Sequence, residues 1–359
     1  MSGSKLFDER KRQMRKHQSN LAITMTVVFM FIVVVGGAGT ALAAPALIHN
    51  DSTMTPSPIP ENEKNLPTVV AEPYFKVSDK GLQLEGPVFD RNGNLFFVDV
   101  WSGSVFKLTP DKKLSTVLGA NKLGSAGLAI HKDGRIFIAC LGDFKVGSVV
   151  AIKPDGSGMQ TIIPTSAGYL ADDLVFDDKG GFYFTDFHGS ATNPTGGVYY
   201  VSPPDYKTIT PILPNMAIAN GVALSPDGKT LWTDETAGNR LFRVSLSDAT
   251  TIAPFGTSIP YRFTGCLGPD SIRVDSEGNV YVAIYDQGRY LVFNKDGNPI
   301  GQILIPGRDK GHNMRSTNVA IKPGSNDMYV VTNDGDGGEG AQIFTCKAFG
   351  KGLYYFGLK

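Results

Sequence analysis

Cysteine is scarce in this chain: three residues, Cys140, Cys266 and Cys346, in a length of 359. No two stand in a CxxC spacing, which removes the usual zinc and dithiol-redox signatures, and an odd count leaves at least one thiol free. The simplest place for Cys140, at the end of an apolar run, is the core. Histidine is nearly as rare, with five residues (His17, His49, His131, His188 and His312) and no HxxxH pair among them. No Gly-x-Ser-x-Gly occurs, so a nucleophile elbow is missing, and the glycine-rich stretch 335–340 has no Lys-Ser/Thr behind it to make a phosphate loop. Charge of either sign is not in excess, with 34 Lys plus Arg against 34 Asp plus Glu. Without a basic stripe interleaved with aromatics, nucleic acid is not an expected partner.

What the chain has instead is repetition. An apolar residue, a polar Gly-bearing turn and a β-rich apolar run recur six times. The copies open at Phe89, Ile130, Phe176, Leu224, Val274 and Ile321, at separations of 41, 46, 48, 50 and 47 residues. Each turn reads as a hairpin in which Gly supplies positive φ, as in Asp90-Arg91-Asn92-Gly93 and Asp275-Ser276-Glu277-Gly278. A strand–turn–strand unit repeating at this period predicts an all-β, six-bladed β-propeller with four strands per blade. Segments near Pro73–Val77 and Leu353–Phe356 are expected to pair in the last blade and close the ring.

Four residues before each copy stand Glu85, Ala126, Asp172, Asn220, Asp270 and Thr317, and Ser271 follows Asp270. In a propeller these equivalent positions lie at one height around the channel. Three carboxylates converging there repel unless a cation neutralises them. Oxygen-only donors suit a hard ion, and a flexible set favours Ca²⁺ over Mg²⁺. Short polar residues that merely open the inner strands would give the same pattern.

The N-terminus is of another kind. Lys5, Arg10, Lys11, Arg12, Arg15 and Lys16 precede an uncharged run from Leu21 to Ile48, long enough to span a bilayer with its basic side in the cytoplasm. Ala41-Leu42-Ala43 is also a small-residue cleavage site. The expected organisation is a cytoplasmic basic segment plus signal or transmembrane helix over residues 1–48, a Pro/Ser/Thr-rich flexible linker over 49–68, and the propeller over 69–359. The propeller is then extracytoplasmic, anchored or secreted.

Leu84-Glu85-Gly86-Pro87, Ala171-Asp172-Asp173, Ala219-Asn220-Gly221 and Gly268-Pro269-Asp270-Ser271 resemble the motifs of the gluconolactonase, senescence-marker-protein and luciferin-regenerating-enzyme superfamily. Lys179–Phe187, Gly196–Pro203 and Gly301–Asp309 are similar to its branch of drug-responsive calcium-dependent lactonases. The resemblance covers roughly residues 70–355. It implies one catalytic Ca²⁺ held by Glu85, Asp172, Asn220, Asp270 and Ser271, with Asp270 also the acid/base residue and Asp173 a supporting or substrate-touching group. The implied activity is hydrolysis of a small-molecule lactone by metal-assisted attack of water. Two alternatives share these features: an exported binding propeller with a structural channel ion, and a related phosphotriester or ester hydrolase. The familiar members of the branch are cytoplasmic, so the apolar N-terminal run is a departure from it.

Overall fold

Each of the six repeats folds as a hairpin, and each hairpin is the inner half of a four-stranded sheet. The computed structural model describes residues 56–335 and 338–358. The chain divides into Met1–Ile48 and His49–Lys359; the first unit, which carries the expected membrane or signal helix, lies outside the described residues. Among the described residues no helix is long and apolar enough to cross a membrane.

Two N-terminal strands come first, β1 (Thr68–Val70) and β2 (Glu72–Ser78). Blade 1 is β3 (Leu84–Phe89), β4 (Leu95–Asp99), β5 (Ser104–Leu108) and β6 (Leu114–Leu118), in that order from the centre outward. Blade 2 is β7 (Ser125–Ile130), β8 (Ile136–Cys140), β9 (Ser148–Ile152) and β10 (Gln160–Ile163); blade 3 is β11 (Ala171–Phe176), β12 (Phe182–Asp186), β13 (Gly196–Val201) and β14 (Ile209–Met216). Blade 4 holds β15 (Ala219–Leu224), β16 (Thr230–Glu235), β17 (Arg240–Asp248) and β18 (Thr251–Arg262). Blade 5 holds β19 (Gly268–Val274), β20 (Val280–Tyr285), β21 (Arg289–Phe293) and β22 (Pro299–Leu304), with β1 added in parallel at its outer edge. Blade 6 is β23 (Arg315–Ile321), β24 (Asp327–Asn333) and β25 (Ala341–Lys347), completed by β2. Each innermost strand packs against the next, and β23 against β3 closes the circle.

The turn chemistry is what the repeats predicted. Asp90 Oδ1 accepts the backbone N–H of Asn92 and Asn94 at 2.9 and 2.8 Å, and Asp275 Oδ1 does the same for Glu277 and Asn279. Gly93 and Gly278 follow at φ 77° and 85°, where a Cβ is strained. Apolar residues of adjoining blades interleave, as where Phe137, Ala151 and Ile163 of blade 2 meet Leu174, Phe182 and Phe184 of blade 3. Such side chains contribute about 1.5–3 kcal/mol each when fully buried. All three cysteines are free; Cys140 is in this kind of layer, and burial pushes its thiol up to about 12.

Two expectations need correction. β2 does close the last blade, antiparallel to β25, with Pro73 opposite Phe344 and Lys76 opposite Gln342. Leu353–Phe356 does not join it. With the edge of β25 already taken by β2, this segment crosses the end of the propeller where the hairpin turns lie. There Gly352 bridges to Asp275 and Pro323, and the Phe356 ring meets His131 and Phe176 at 5.0 and 5.5 Å. The expected flexible linker is also held in place from residue 56 onward. Glu63 is 3% exposed and pairs with Arg289 at 2.6 Å, and Arg308 donates to the Ser57 carbonyl at 2.6 Å. The Pro/Ser-rich composition conceals one acidic residue that a buried guanidinium needs as counter-charge.

Candidate metal centre in the channel

All six ring positions fall at the second or third residue of an innermost strand. At this height every innermost strand carries a register shift: between Glu85 and Val88, Ser125 and Leu128, Ala171 and Leu174, Ala219 and Val222, Pro269 and Ile272, and Ser316 and Asn318. A bulge takes a residue out of the ladder and re-aims its side chain, so six bulges at one tier build a ring of redirected groups. Gly86, at φ 61°, permits this close approach: a Cβ there would meet the Ala126 carbonyl oxygen of the next blade at 2.3 Å.

Glu85, Asp172, Asn220 and Ser271 are buried and Asp270 is half-buried. Glu85 Oε1 accepts the Ser271 hydroxyl at 3.0 Å, the Gly86 N–H at 3.1 Å and the amide of Asn318, so blades 1, 5 and 6 meet on one carboxylate oxygen. Asn220 donates to Thr236 Oγ1 at 3.2 Å, and that hydroxyl donates to the Pro269 carbonyl at 2.8 Å. Burial pushes the carboxyl groups of Asp172 and Asp270 well above the ordinary range, and the neighbouring Glu85 charge pushes both further. Glu85 is raised as well, by burial first, against the pull of its hydrogen bonds. The three carboxylates thus act on one another across the channel.

Among the described residues no trio of Asp, Glu, His or Cys side chains closes tightly enough to cage an ion by itself. The amide of Asn220 and the hydroxyl of Ser271 would complete a donor set. Asn220 Oδ1 is buried without a hydrogen-bond partner, as is Asp234 Oδ2. Leaving such an oxygen unpaired costs about 1–3 kcal/mol. A hard cation among these oxygens satisfies that atom and offsets the mutual repulsion of the carboxylates, so the residues present fit Ca²⁺.

Asp173 lies below the ring, fully buried, with Arg273 Nη1 2.8 Å from its Oδ2. That ion pair ties blade 3 to blade 5 beneath the ring. Burial lowers the affinity of Arg273 for its proton, but the Asp173 charge outweighs this and the guanidinium stays protonated. Sequence reasoning missed Arg273, Asn318, Asp234 and Thr236. The only signal was a charge or amide inside an otherwise apolar strand, as in Ile272-Arg273-Val274. Thr317 turns sideways, its hydroxyl donating to the Leu84 carbonyl at 2.6 Å, and Ala126 offers no donor atom. Of the aromatics near the mouth, Tyr261 and Phe263 pack against Phe293 and belong to the blade core. Trp101 is exposed, and Phe187 lines an apolar patch with Val100, Ala126, Leu141 and Leu170.

This ring on a six-bladed frame was compared with known proteins. The sequence profile described as "SMP-30/Gluconolactonase/LRE-like region" matches residues 84–334. The chain belongs to this family. Within the SMP-30/gluconolactonase/LRE-like family it is 53% identical over 312 residues to the lactonase drp35 of Staphylococcus saprophyticus, covering 86% of this chain and 96% of that one. The lactonase drp35 of Staphylococcus aureus strain USA300 is 52% identical over 316 residues, covering 87% and 97%. Among solved structures, a calcium-binding protein, regucalcin, from Agrobacterium tumefaciens superposes with a TM-score of 0.65 at 19% identity, covering 80% of this chain and 99% of that one. At that identity the likeness speaks for the fold alone.

Proposed function

We propose that this protein is a Ca²⁺-dependent lactonase with its active site at the channel ring. The lactone-hydrolysing class is supported by the two relatives, which share more than half of their residues with this chain. The observation that carries the metal reading is the partnerless Asn220 Oδ1, buried among carboxylates that raise one another. Glu85, Asp172, Asn220, Asp270 and Ser271 would hold the ion. Bound there, Ca²⁺ supplies a Lewis acid for the lactone carbonyl and a fixed positive charge for the oxyanion.

The chain's own residues do the rest. Asp270, the least buried carboxylate of the ring, takes a proton from the attacking water as its oxygen bonds to the carbonyl carbon. It returns that proton to the ring oxygen as the acyl C–O bond breaks, so that lactone plus water gives a hydroxy acid. Glu85 is held by Ser271, Asn318 and Gly86 and cannot swing into the base's position. Arg273 keeps Asp173 paired, so that a fourth charge below the ring does not add to the repulsion above it. Hydrolysis of a lactone panel should vanish with EDTA and return with Ca²⁺. Turnover that survives exhaustive chelation would sink the metal reading.

For the N-terminal region we infer that residues 1–48 carry the propeller out of the cytoplasm, as an uncleaved anchor or as a signal removed after Ala43. The support is the basic cluster ahead of an uncharged run of bilayer length. Cell fractionation with N-terminal sequencing tests this. Recovery of the intact chain in the cytosol would refute it.

A further inference from the structure

The mouth of the channel carries a charge that the ring chemistry does not use. Two residues ahead of the ring, at or just before the start of each innermost strand, stand Gln83, Gly124, Leu170, Ile218, Gly268 and Arg315, so a single cation stands in an otherwise neutral tier above an acidic ring. Arg315 opens β23 and is half-buried, and among the described residues it has no ion-pair partner. Its one hydrogen bond is from Nη1 to Asn333 Oδ1 at 3.4 Å. Asn333 in turn donates to Gln83 Oε1 at 2.7 Å. Tyr285, from blade 5, lies near Gln83 and within electrostatic reach of both Arg315 and Asp270. Asp286, the nearest carboxylate at the mouth, also feels Arg315, but it does not come within ion-pairing distance. It sits at φ 61°, a left-handed conformation that costs energy for a non-glycine residue. Blades 5, 6 and 1 thus form a polar cradle of Arg315, Asn333, Gln83 and Tyr285 on the Asp270 side of the mouth.

The opposite wall is different in kind. Val100, Ala126, Leu141 and Leu170 are buried in a small apolar cluster on blades 1 to 3, with the part-buried Phe187 packed against it. Above it the Trp101 and Phe144 rings stand 5.8 Å apart, 52% and 45% exposed. A half-buried guanidinium with one weak amide contact has lost water without gaining a counter-charge. Its planar fork matches a carboxylate in two parallel hydrogen bonds.

We propose that Arg315 is a specificity-determining residue that holds a free carboxylate on the substrate. The preferred substrate class is then a lactone on an apolar frame that carries an anionic substituent remote from the ring carbonyl. The apolar body lies toward the exposed Trp101–Phe144 pair and the carboxylate on Arg315. This inference rests on the lactonase reading of the same channel.

The test uses the full-length, Ca²⁺-loaded protein and two aryl-substituted γ-lactones, one with an aryl carboxylate and one with the isosteric carboxamide. Their ring-opened hydroxy acids serve as binding probes in calorimetry. The wild type should show a higher kcat/KM for the acid than for the amide, on the order of 10–100-fold, mostly through KM. In Arg315→Gln that ratio should collapse to about one, and in Arg315→Lys it should fall between the two. Equal turnover of both lactones by the wild type, or an unchanged ratio in Arg315→Gln, overturns the proposal. A variant that lowers both substrates equally also overturns it, since that marks Arg315 as a structural counter-charge to Asp270. If neither lactone turns over but the ring-opened dicarboxylate binds in an Arg315-dependent way, the carboxylate site stands and the lactonase reading falls. If neither turns over nor binds, the carboxylate site falls.

Discussion

At the scale of single residues, the ring separates side chains with the same address and different jobs. Asp270 and Thr317 occupy equivalent places on neighbouring innermost strands. Asp270 faces the other carboxylates, whereas the Thr317 hydroxyl ties β23 to the Leu84 carbonyl of blade 1. Asp270→Ala should remove turnover by at least on the order of 10²–10⁴-fold. Thr317→Ala should keep turnover while losing about 1 kcal/mol of stability, because a buried carbonyl loses its donor. Steady-state kinetics paired with urea unfolding reads both effects. Near-wild-type turnover in Asp270→Ala would place the chemistry elsewhere. Glu85, Asp172, Asn220 and Asp270 were legible because four residues before each turn is a fixed address in a repeat. Asn318 and Arg273 were not, because their roles come from contacts with blades far away in sequence.

At the scale of elements, the blades are alike inside and differ at their margins. Asp99, Asp186, Glu235 and Asp334, each at the end of a second strand or just beyond it, accept a backbone N–H from the segment leading into the innermost strand. The donors are Gln83, Leu170, Ala217 and Asn313, at 2.9, 2.9, 3.0 and 2.8 Å. These bonds set the height at which four of the six innermost strands enter the channel. The outer margin depends on the segment before β1, where Glu63 reaches the buried Arg289. Glu63→Ala strands that guanidinium and should cost about 3–5 kcal/mol in urea unfolding. Glu61→Ala, which removes a mostly exposed partner of Lys64, should change little. Equal effects of the two substitutions would show that the segment is not anchored through Glu63.

At the scale of the whole molecule, the channel links stability to pH and, in the proposed site, to the metal. The carboxyl groups of Glu85, Asp172 and Asp270 titrate above their ordinary range in the metal-free fold. Below about pH 3 they are protonated in folded and unfolded chains alike. As the pH rises beyond that range the unfolded chain releases these protons and the fold retains them, so their contribution to stability falls with rising pH. In the proposed site Ca²⁺ would bind the deprotonated groups and reverse the effect. The gain in melting temperature on adding Ca²⁺ to the EDTA-treated protein should therefore grow from about pH 4.5 to pH 7.5. A gain independent of pH would mean that these carboxylates do not hold the ion.

The sequence by itself determined the number of blades and the hairpin turns, and it set Glu85, Asp172, Asn220 and Asp270 at one height around the channel, because each follows from spacing inside one repeat. Only the tertiary structure decided which oxygen lacks a partner, that Asp173 is neutralised by Arg273, and that β2 rather than the C-terminal segment completes the last blade. It also decided that Glu63 is buried and that, among the described residues, Arg315 has no ion-pair partner above the ring. These depend on which atoms of distant blades come within a few ångströms of one another. A repeat places equivalent residues at equal heights, but it does not state what faces them across the channel.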